Sequence, residues 1–157
     1  MPDCILIREI RAADAEPIAR LFQETIGDGG AAGWTQGAIE NLIQNNGFGF
    51  IAELNSAVIG ACILLTSGDD AEILNIATDF KYRRLGAAHK VLRAALLASQ
   101  GLGYSRIFLE VSEDNFEAKS VYQAVGFSKI GIRPKYYKRG STPVDAEVLS
   151  LELKSFR

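Results

Sequence analysis

Apolar residues recur at two spacings along the chain, and these spacings predict where strands and helices lie. Alternation or short apolar runs predict strands at residues 4–10, 48–54, 57–66, 71–77, 104–111, 127–132 and 146–153. Apolar residues at helical spacing predict helices over 12–25, after Thr35 as their cap, over 85–99 and around 118–125. The order β-α-α-β-β-β-α-β-α-β-β predicts an α/β (α+β) fold, a mixed sheet covered by helices, in a single domain spanning 1–157.

Turn-forming and helix-capping residues set several boundaries. Asp14 is predicted to cap the first helix, because the proline three residues later is tolerated only in a first turn. Asn55-Ser56 predicts a tight hairpin, although it lacks the preferred glycine. Leu85 is predicted to open the buried face of the third helix, and residues 133–145 are predicted to form a polar loop between the last two strands.

Composition excludes several classes of function. The 157 residues carry a net charge of -2, which argues against a nucleic-acid partner, since a basic face must neutralise the phosphates. Two cysteines far apart, Cys4 and Cys62, and a single histidine, His89, predict neither a disulfide framework nor a metal site. No apolar run is long enough for a bilayer, and the N-terminal run is too short for a signal peptide. We therefore expect a cytoplasmic protein without a membrane partner.

The stretch from Tyr82 to His89 has the pattern of an anion-binding loop. It follows a buried-looking strand and leads into a helix, whose first backbone N–H groups lack partners and favour phosphate oxygens. Gly86 and Ala88 let the backbone approach a ligand, and Arg83 or Arg84 adds charge-assisted contacts. The alternative is an ordinary strand-to-helix turn with a solvated arginine pair.

Three segments together resemble a known family. IATDFKYRRLGAAHKVL, FLEVSEDNFEAKSVYQAVGF and RPKYYKRG resemble the GNAT superfamily of N-acetyltransferases, and within it the bacterial ribosomal-protein-alanine N-acetyltransferases of the RimI group. The resemblance implies the GNAT fold, a mostly antiparallel sheet flanked by helices. It also implies acetyl-CoA as cofactor, CoA as product, and acetyl transfer to the N-terminal α-amine of a protein. In the RimI group that protein is a ribosomal protein beginning with alanine.

The resemblance assigns the cofactor to two neighbouring segments. The family pattern Q/R-x-x-G-x-G/A is met by Arg83, Gly86 and Ala88, with Phe80 where relatives often have proline. Backbone N–H groups around the cofactor pyrophosphate would come from Arg84, Leu85, Ala87 and His89. In such enzymes the preceding strand bulges and separates from its neighbour, so that Ile76, Ala77 and Thr78 would pair with the pantetheine arm. One of their N–H groups would hold the thioester carbonyl.

Two residues carry the chemistry that the resemblance implies. Glu110 would be the general base, since a carboxylate in an apolar strand must face a wet cleft or be paired. The alternative is a salt bridge, for example with Arg106 on the same face. Tyr122 would protonate the leaving sulfur, and its alternative is a core aromatic. Asn115 and Ala118 share its helix face, where Asn115 would contact pantetheine or simply cap the helix.

The acceptor side is predicted less sharply. The segment ending at Trp34 and the pair Tyr136-Tyr137 would flank the acceptor, although core packing or a surface edge also explains them. Direct attack in a ternary complex is expected, because no cysteine or serine is placed as a nucleophile. Two other functions stay open: an acetyltransferase for a small amine, and a CoA-binding module without turnover. Glu110 and Tyr122 count against the second.

Overall fold

A single mixed sheet organises the protein, whose computed structural model describes residues 4–26 and 33–156. The strands are β1 (Leu6–Glu9), β2 (Gly47–Leu54), β3 (Ala57–Ser67), β4 (Asp70–Thr78), β5 (Arg106–Ser112), β6 (Ser128–Arg139) and β7 (Thr142–Glu152). They lie in the order β1-β2-β3-β4-β5-β7-β6. The pairing of β4 with β5 is parallel, and each of the other pairings is antiparallel.

Helices cover both faces of the sheet. They are α1 (Ala15–Thr25), α2 (Gln36–Gln44), α3 (Ala87–Gly101) and α4 (Phe116–Val125), with short 3-10 turns at Ala12–Asp14, Phe80–Tyr82 and Leu153–Ser155. Ile63 of β3 packs with α1 and α2, whereas its neighbour Leu64 packs with α3. Successive strand residues point to opposite faces, so the sheet separates two apolar cores. Within the described ranges, no helix has the length and apolar character that crossing a membrane requires.

The predicted order of elements and the mixed, mostly antiparallel sheet are confirmed. The Asn55-Ser56 hairpin is confirmed too, and its two residues have φ values of 50° and 66°. Such left-handed angles match the twist of the flanking strands. Thr35 caps α2 as predicted, because its hydroxyl accepts a hydrogen bond of 3.1 Å from the Ala38 N–H.

The predicted start of the third helix is wrong. Gly86 has a φ of 83°, which no α-helix contains, so α3 begins at Ala87 and Leu85 lies in the loop, 52% exposed. The rest of the predicted buried face is largely confirmed: Leu92, Ala95, Leu96 and Ser99 are buried, and Ala87 and Val91 take the places of Leu85 and Ala88.

The predicted polar loop at 133–145 is also wrong. Strand β6 continues to Arg139 and β7 begins at Thr142, with Tyr137 opposite Val144. Gly140, with a φ of 64°, supplies the turn. Charged and exposed side chains cover much of this hairpin, so its sequence lacks the alternation that identifies a half-buried strand.

Asp14 occupies the N-cap position of α1 as predicted, but its side chain makes no capping hydrogen bond to that helix. Its carboxylate instead accepts two hydrogen bonds of 2.8 Å from the Arg8 guanidinium and one of 2.7 Å from the Arg11 N–H. Arg8 also contacts Glu53 of β2 at 2.6 Å. The network joins the turn before α1 to the edge of the sheet, which a local capping pattern does not reveal.

This network predicts a pH-dependent contribution to stability. Hydrogen bonds from Arg8 lower the pKa of Asp14, which is 6% exposed. Asp14→Asn should therefore lower the free energy of unfolding by about 2 kcal/mol at neutral pH. A carboxyl group whose pKa is lowered in the folded state stabilises the fold above its ordinary pKa. This stabilisation is lost as the pH falls through the lowered pKa. The difference between variant and parent should shrink in acid.

Urea unfolding at pH 7 and at pH 3 measures this difference. Glu16→Gln is the control, since it removes the exposed ion pair with Arg20 on the same helix and should change stability little. An Asp14→Asn variant as stable as the parent at pH 7 would contradict the prediction.

Candidate active site

The site begins where β4 and β5 part. Their parallel register runs from Asp70 opposite Arg106 to Ile73 opposite Leu109. Beyond that point β4 pairs with β3 alone, and β5 pairs with β7 alone. A bulge leaves Leu74 without an opposite residue, because Ile63 faces Asn75 and Leu64 faces Ile73. The bulge and the separation leave the backbone edge of β4 beyond Ile73 without a strand partner on the β5 side.

The loop between β4 and α3 leads into this gap. The Asp79 carboxylate accepts a hydrogen bond of 2.9 Å from the Lys81 N–H and closes the first turn. Arg84 and Gly86 both have left-handed backbone, with φ values of 67° and 83°. No side chain caps α3, and a Cβ on Gly86 would meet nothing within 4 Å. The first N–H groups of α3 are therefore open to an anion.

Arg83 connects this loop to α4. Its guanidinium lies 4.2 Å from the centroid of the Phe80 ring and 3.9 Å from the Glu117 carboxylate.

The residues predicted to bind the cofactor differ in exposure. Ala87 is buried, and those half-buried are Ile76, Ala77, Thr78, Ala88 and Ala118. Those exposed are Arg83, Arg84, Leu85, Gly86, His89 and Asn115.

Helix α4 brings Tyr122 to the same gap. Tyr122 is 6% exposed and packs edge-on against Phe127 at 5.8 Å. Burial raises the pKa of its hydroxyl, and Cys62 and Tyr137 are close enough to contribute. The hydroxyl is therefore protonated at neutral pH. Asn115 caps α4, since its side-chain oxygen accepts a hydrogen bond of 3.2 Å from the Ala118 N–H.

Glu110 lies on the other side of the gap and is paired. Its side chain is 15% exposed, and Arg133 Nε lies 2.9 Å from its Oε1. A salt bridge, the alternative interpretation of Glu110, is thus present, but its partner is not Arg106, which lies 3.5 Å from Asp70 and faces it in the sheet register. The partner comes from β6, a strand segment that the sequence predicts to be a loop.

The predicted acceptor residues are placed differently from one another. Tyr137 donates a hydrogen bond of 3.4 Å to the main-chain oxygen of Glu110, and it is close enough to Tyr122 to raise the pKa of that hydroxyl. Tyr136 is 51% exposed and packs edge-on against Tyr137 at 5.0 Å. Trp34 packs edge-on against Phe22 at 4.9 Å, in the core under α1 and α2. Of the predicted acceptor segment that ends at Trp34, residues 29–32 lie outside the described residues.

Three residues near the gap escape the sequence prediction: Glu72, Asn75 and Arg133. Burial raises the pKa of Glu72, Glu110 raises it further, and Arg133 opposes the shift. The side-chain nitrogen of Asn75 and the hydroxyl of Thr78 are buried without a hydrogen-bond partner. Glu72 and Asn75 interrupt an apolar strand, and buried polar groups need partners, so that interruption is a usable signal. Within residues 4–26 and 33–156, no group of three or more His, Cys, Asp or Glu residues could hold a metal ion.

Comparison with known proteins identifies this arrangement. The sequence model of the acetyltransferase (GNAT) family matches residues 15–127. The chain therefore belongs to the GNAT family of N-acetyltransferases, as the three motifs indicate, and the enzymes of this family take their acetyl group from acetyl-CoA.

Its relatives include enzymes of one acceptor class. The ribosomal protein bS18-alanine N-acetyltransferase of Haemophilus ducreyi is 33% identical over 108 residues, which cover 66% of this chain and 72% of the relative. The enzyme of that name from Haemophilus influenzae is 27% identical over 136 residues, 87% of this chain and 90% of the relative. The crystal structure of the ribosomal-protein-S18-alanine N-acetyltransferase from Escherichia coli superposes with a TM-score of 0.87. At 22% identity it covers 96% of this chain and 94% of that one.

Proposed function

We propose that this chain transfers the acetyl group of acetyl-CoA to the N-terminal α-amine of a protein, with a ribosomal protein beginning with alanine as the acceptor. Such an acceptor would locate the reaction in the cytoplasm. One observation carries the chemistry: Tyr137 donates a hydrogen bond to the main chain of Glu110 and is close enough to Tyr122 to raise the pKa of its hydroxyl. A carboxylate and a protonated hydroxyl therefore flank the gap between β4 and β5. The acceptor class follows the bS18-alanine relatives.

The donor fits the part of the site that faces α3 and α4. Residues 76–78 offer an unpaired strand edge, and Thr78 adds a buried hydroxyl without a partner. The uncapped start of α3 suits a pyrophosphate, because its N–H groups and the helix dipole attract negative charge. In this proposal the residues that hold acetyl-CoA are Ile76, Ala77, Thr78, Arg83, Arg84, Leu85, Gly86, Ala87, Ala88, His89, Asn115 and Ala118. Bound acetyl-CoA supplies an activated acetyl thioester.

The catalytic roles follow from where protons must go. An α-amine has an ordinary pKa of about 7.7 to 8.0 and a lysine side chain about 10.4, so only the α-amine is substantially neutral near pH 7. Glu110 accepts the proton that the attacking amine loses, through ordered water. Tyr122 gives its proton to the departing sulfur, and the N–H groups of residues 76–78 hold the carbonyl oxygen. Cys62, fully buried with a pKa of about 12, is no nucleophile. Direct attack therefore requires no acyl-enzyme.

The acceptor enters on the face that carries Glu110. Tyr136, 51% exposed, and the half-buried Tyr137 would flank its first residues. Trp34 would lie behind the residues that line this entrance, because it packs on Phe22.

A panel of acceptors tests this function. With acetyl-CoA as donor, kcat/KM for a peptide beginning with alanine should exceed that for the same peptide with a blocked N-terminus and an internal lysine by more than about tenfold, because of the difference in amine pKa. Thiol release measures the rates, and mass spectrometry locates the acetyl group. Preferred acetylation of the lysine or of spermidine would contradict the proposal and favour the small-amine alternative.

Tyr122→Phe tests the proton donor. The ring still fills its site against Phe127, so CoA affinity should be unchanged, while kcat should fall by about 100-fold, as is typical when a general acid is lost. Tyr104→Phe is the matched control, because Tyr104 is half-buried beyond the far end of α3 and should keep its activity. If Tyr122→Phe turns over at the rate of the parent across the pH range, Tyr122 has a packing role only.

A further inference from the structure

We propose that Arg133 is a positioning residue that orients the Glu110 carboxylate and offsets the negative charge of a second carboxylate beside it, Glu72. The inference rests on the proposed role of Glu110 as the base. Three features carry it: the ion pair itself, the bulge that delivers Arg133, and the charges that face Glu110.

The ion pair is specific in its geometry. Arg133 Nε lies 2.9 Å from Oε1 of Glu110, within hydrogen-bonding distance. The same guanidinium lies 5.3 Å from the centroid of the Tyr136 ring, so a second contact holds it in place.

An irregularity in β6 brings Arg133 to this position. Arg133 stands opposite Ala146 and Tyr137 opposite Val144, so residues 134–136 face Asp145 alone. Lys135 has a left-handed φ of 56°, and its N–H donates a hydrogen bond of 2.9 Å to the Asp145 carboxylate. Bulges of this kind re-aim the side chains around them. Here Arg133 at one side reaches the Glu110 side chain, and Tyr137 at the other side reaches its main chain.

The carboxylates at this site repel each other, and the Arg133 guanidinium offsets that repulsion. The titratable groups that face it are Arg133 and Tyr137 of β6 and Glu72 of β4. Glu72 stands opposite Phe108, two residues before Glu110 on the neighbouring strand, so both carboxylates lie on one face of the sheet. Two nearby carboxylates disfavour each other's ionisation. Arg133 interacts with both and offsets that repulsion.

In Arg133→Met, where the cation is lost, a proton should therefore stay on the pair of carboxylates, Glu72 and Glu110, up to a higher pH. We expect the acid limb of the kcat/KM profile, and the titration midpoint of the Glu110 side chain, to move up by about one pH unit. The midpoint is read by carbon-13 NMR on the full chain without substrate, with Glu110→Gln to assign the signal. Arg133→Lys keeps the charge and should recover most of the shift. In the double variant Glu72→Gln with Arg133→Met, loss of the second carboxylate should move the midpoint back down.

Arg106→Met is the matched control. Arg106 is on the same face of β5, is 46% exposed at its side chain against 57% for Arg133, and pairs with Asp70. It lies four residues from Glu110, about 13 Å along a strand, where salt screens its charge. Its removal should leave the midpoint unchanged.

An unshifted midpoint in Arg133→Met would overturn the inference. Because the NMR titration needs no acceptor, that result is distinct from failure of the acceptor panel, which would overturn the proposed function.

Discussion

The separation of β4 from β5 is the constraint on which the rest of the site depends. A parallel pair of strands normally continues until one strand ends, yet this pair stops at Ile73 and Leu109 while both strands go on. Each strand keeps its outer neighbour, β3 or β7, so the sheet remains intact on both sides of the gap. The bulge at Leu74 turns β4 away from its partner. Unpaired backbone is costly when buried, and a bound extended ligand would satisfy it.

The gap also divides the chemistry between two faces of the sheet. On the face of α3 and α4 lie the anion-binding loop and Tyr122, and on the opposite face lie Glu72 and Glu110. Tyr137, which follows the irregularity in β6, donates a hydrogen bond to the main chain of Glu110 and is close enough to Tyr122 to raise the pKa of its hydroxyl. A donor and an acceptor can thus approach from opposite sides and meet where the strands part. This is the arrangement that direct transfer between two bound substrates requires.

Sequence patterns predict the parts of this arrangement that are local. The strand, loop and helix at 71–101 have strong signals, because their apolar periodicity and loop pattern lie in consecutive residues; only the helix start, set by the left-handed backbone of Gly86, differs. The position of the Arg133 side chain cannot be predicted from neighbouring residues in the sequence. It depends on a bulge in an edge hairpin whose polar residues read as a loop, and on pairing with β7. Asp14 illustrates the same limit, since its partner Arg8 comes from β1, not from its own helix, and Arg8 also binds Glu53 of β2. Predictions fail here where long-range contacts replace a local rule.

Amide hydrogen exchange with and without CoA tests the central claim most directly. CoA should protect the amides of residues 76–78 and of Ala87, Ala88 and His89, where the gap and the uncapped helix lie. Gly86→Glu should abolish this protection, because its carboxylate repels the pyrophosphate. Gly103→Glu, at an equally open left-handed glycine beyond the far end of α3, should leave it intact. Protection confined to the groove around Asn46 and Leu102, or equal binding by both variants, would contradict the account.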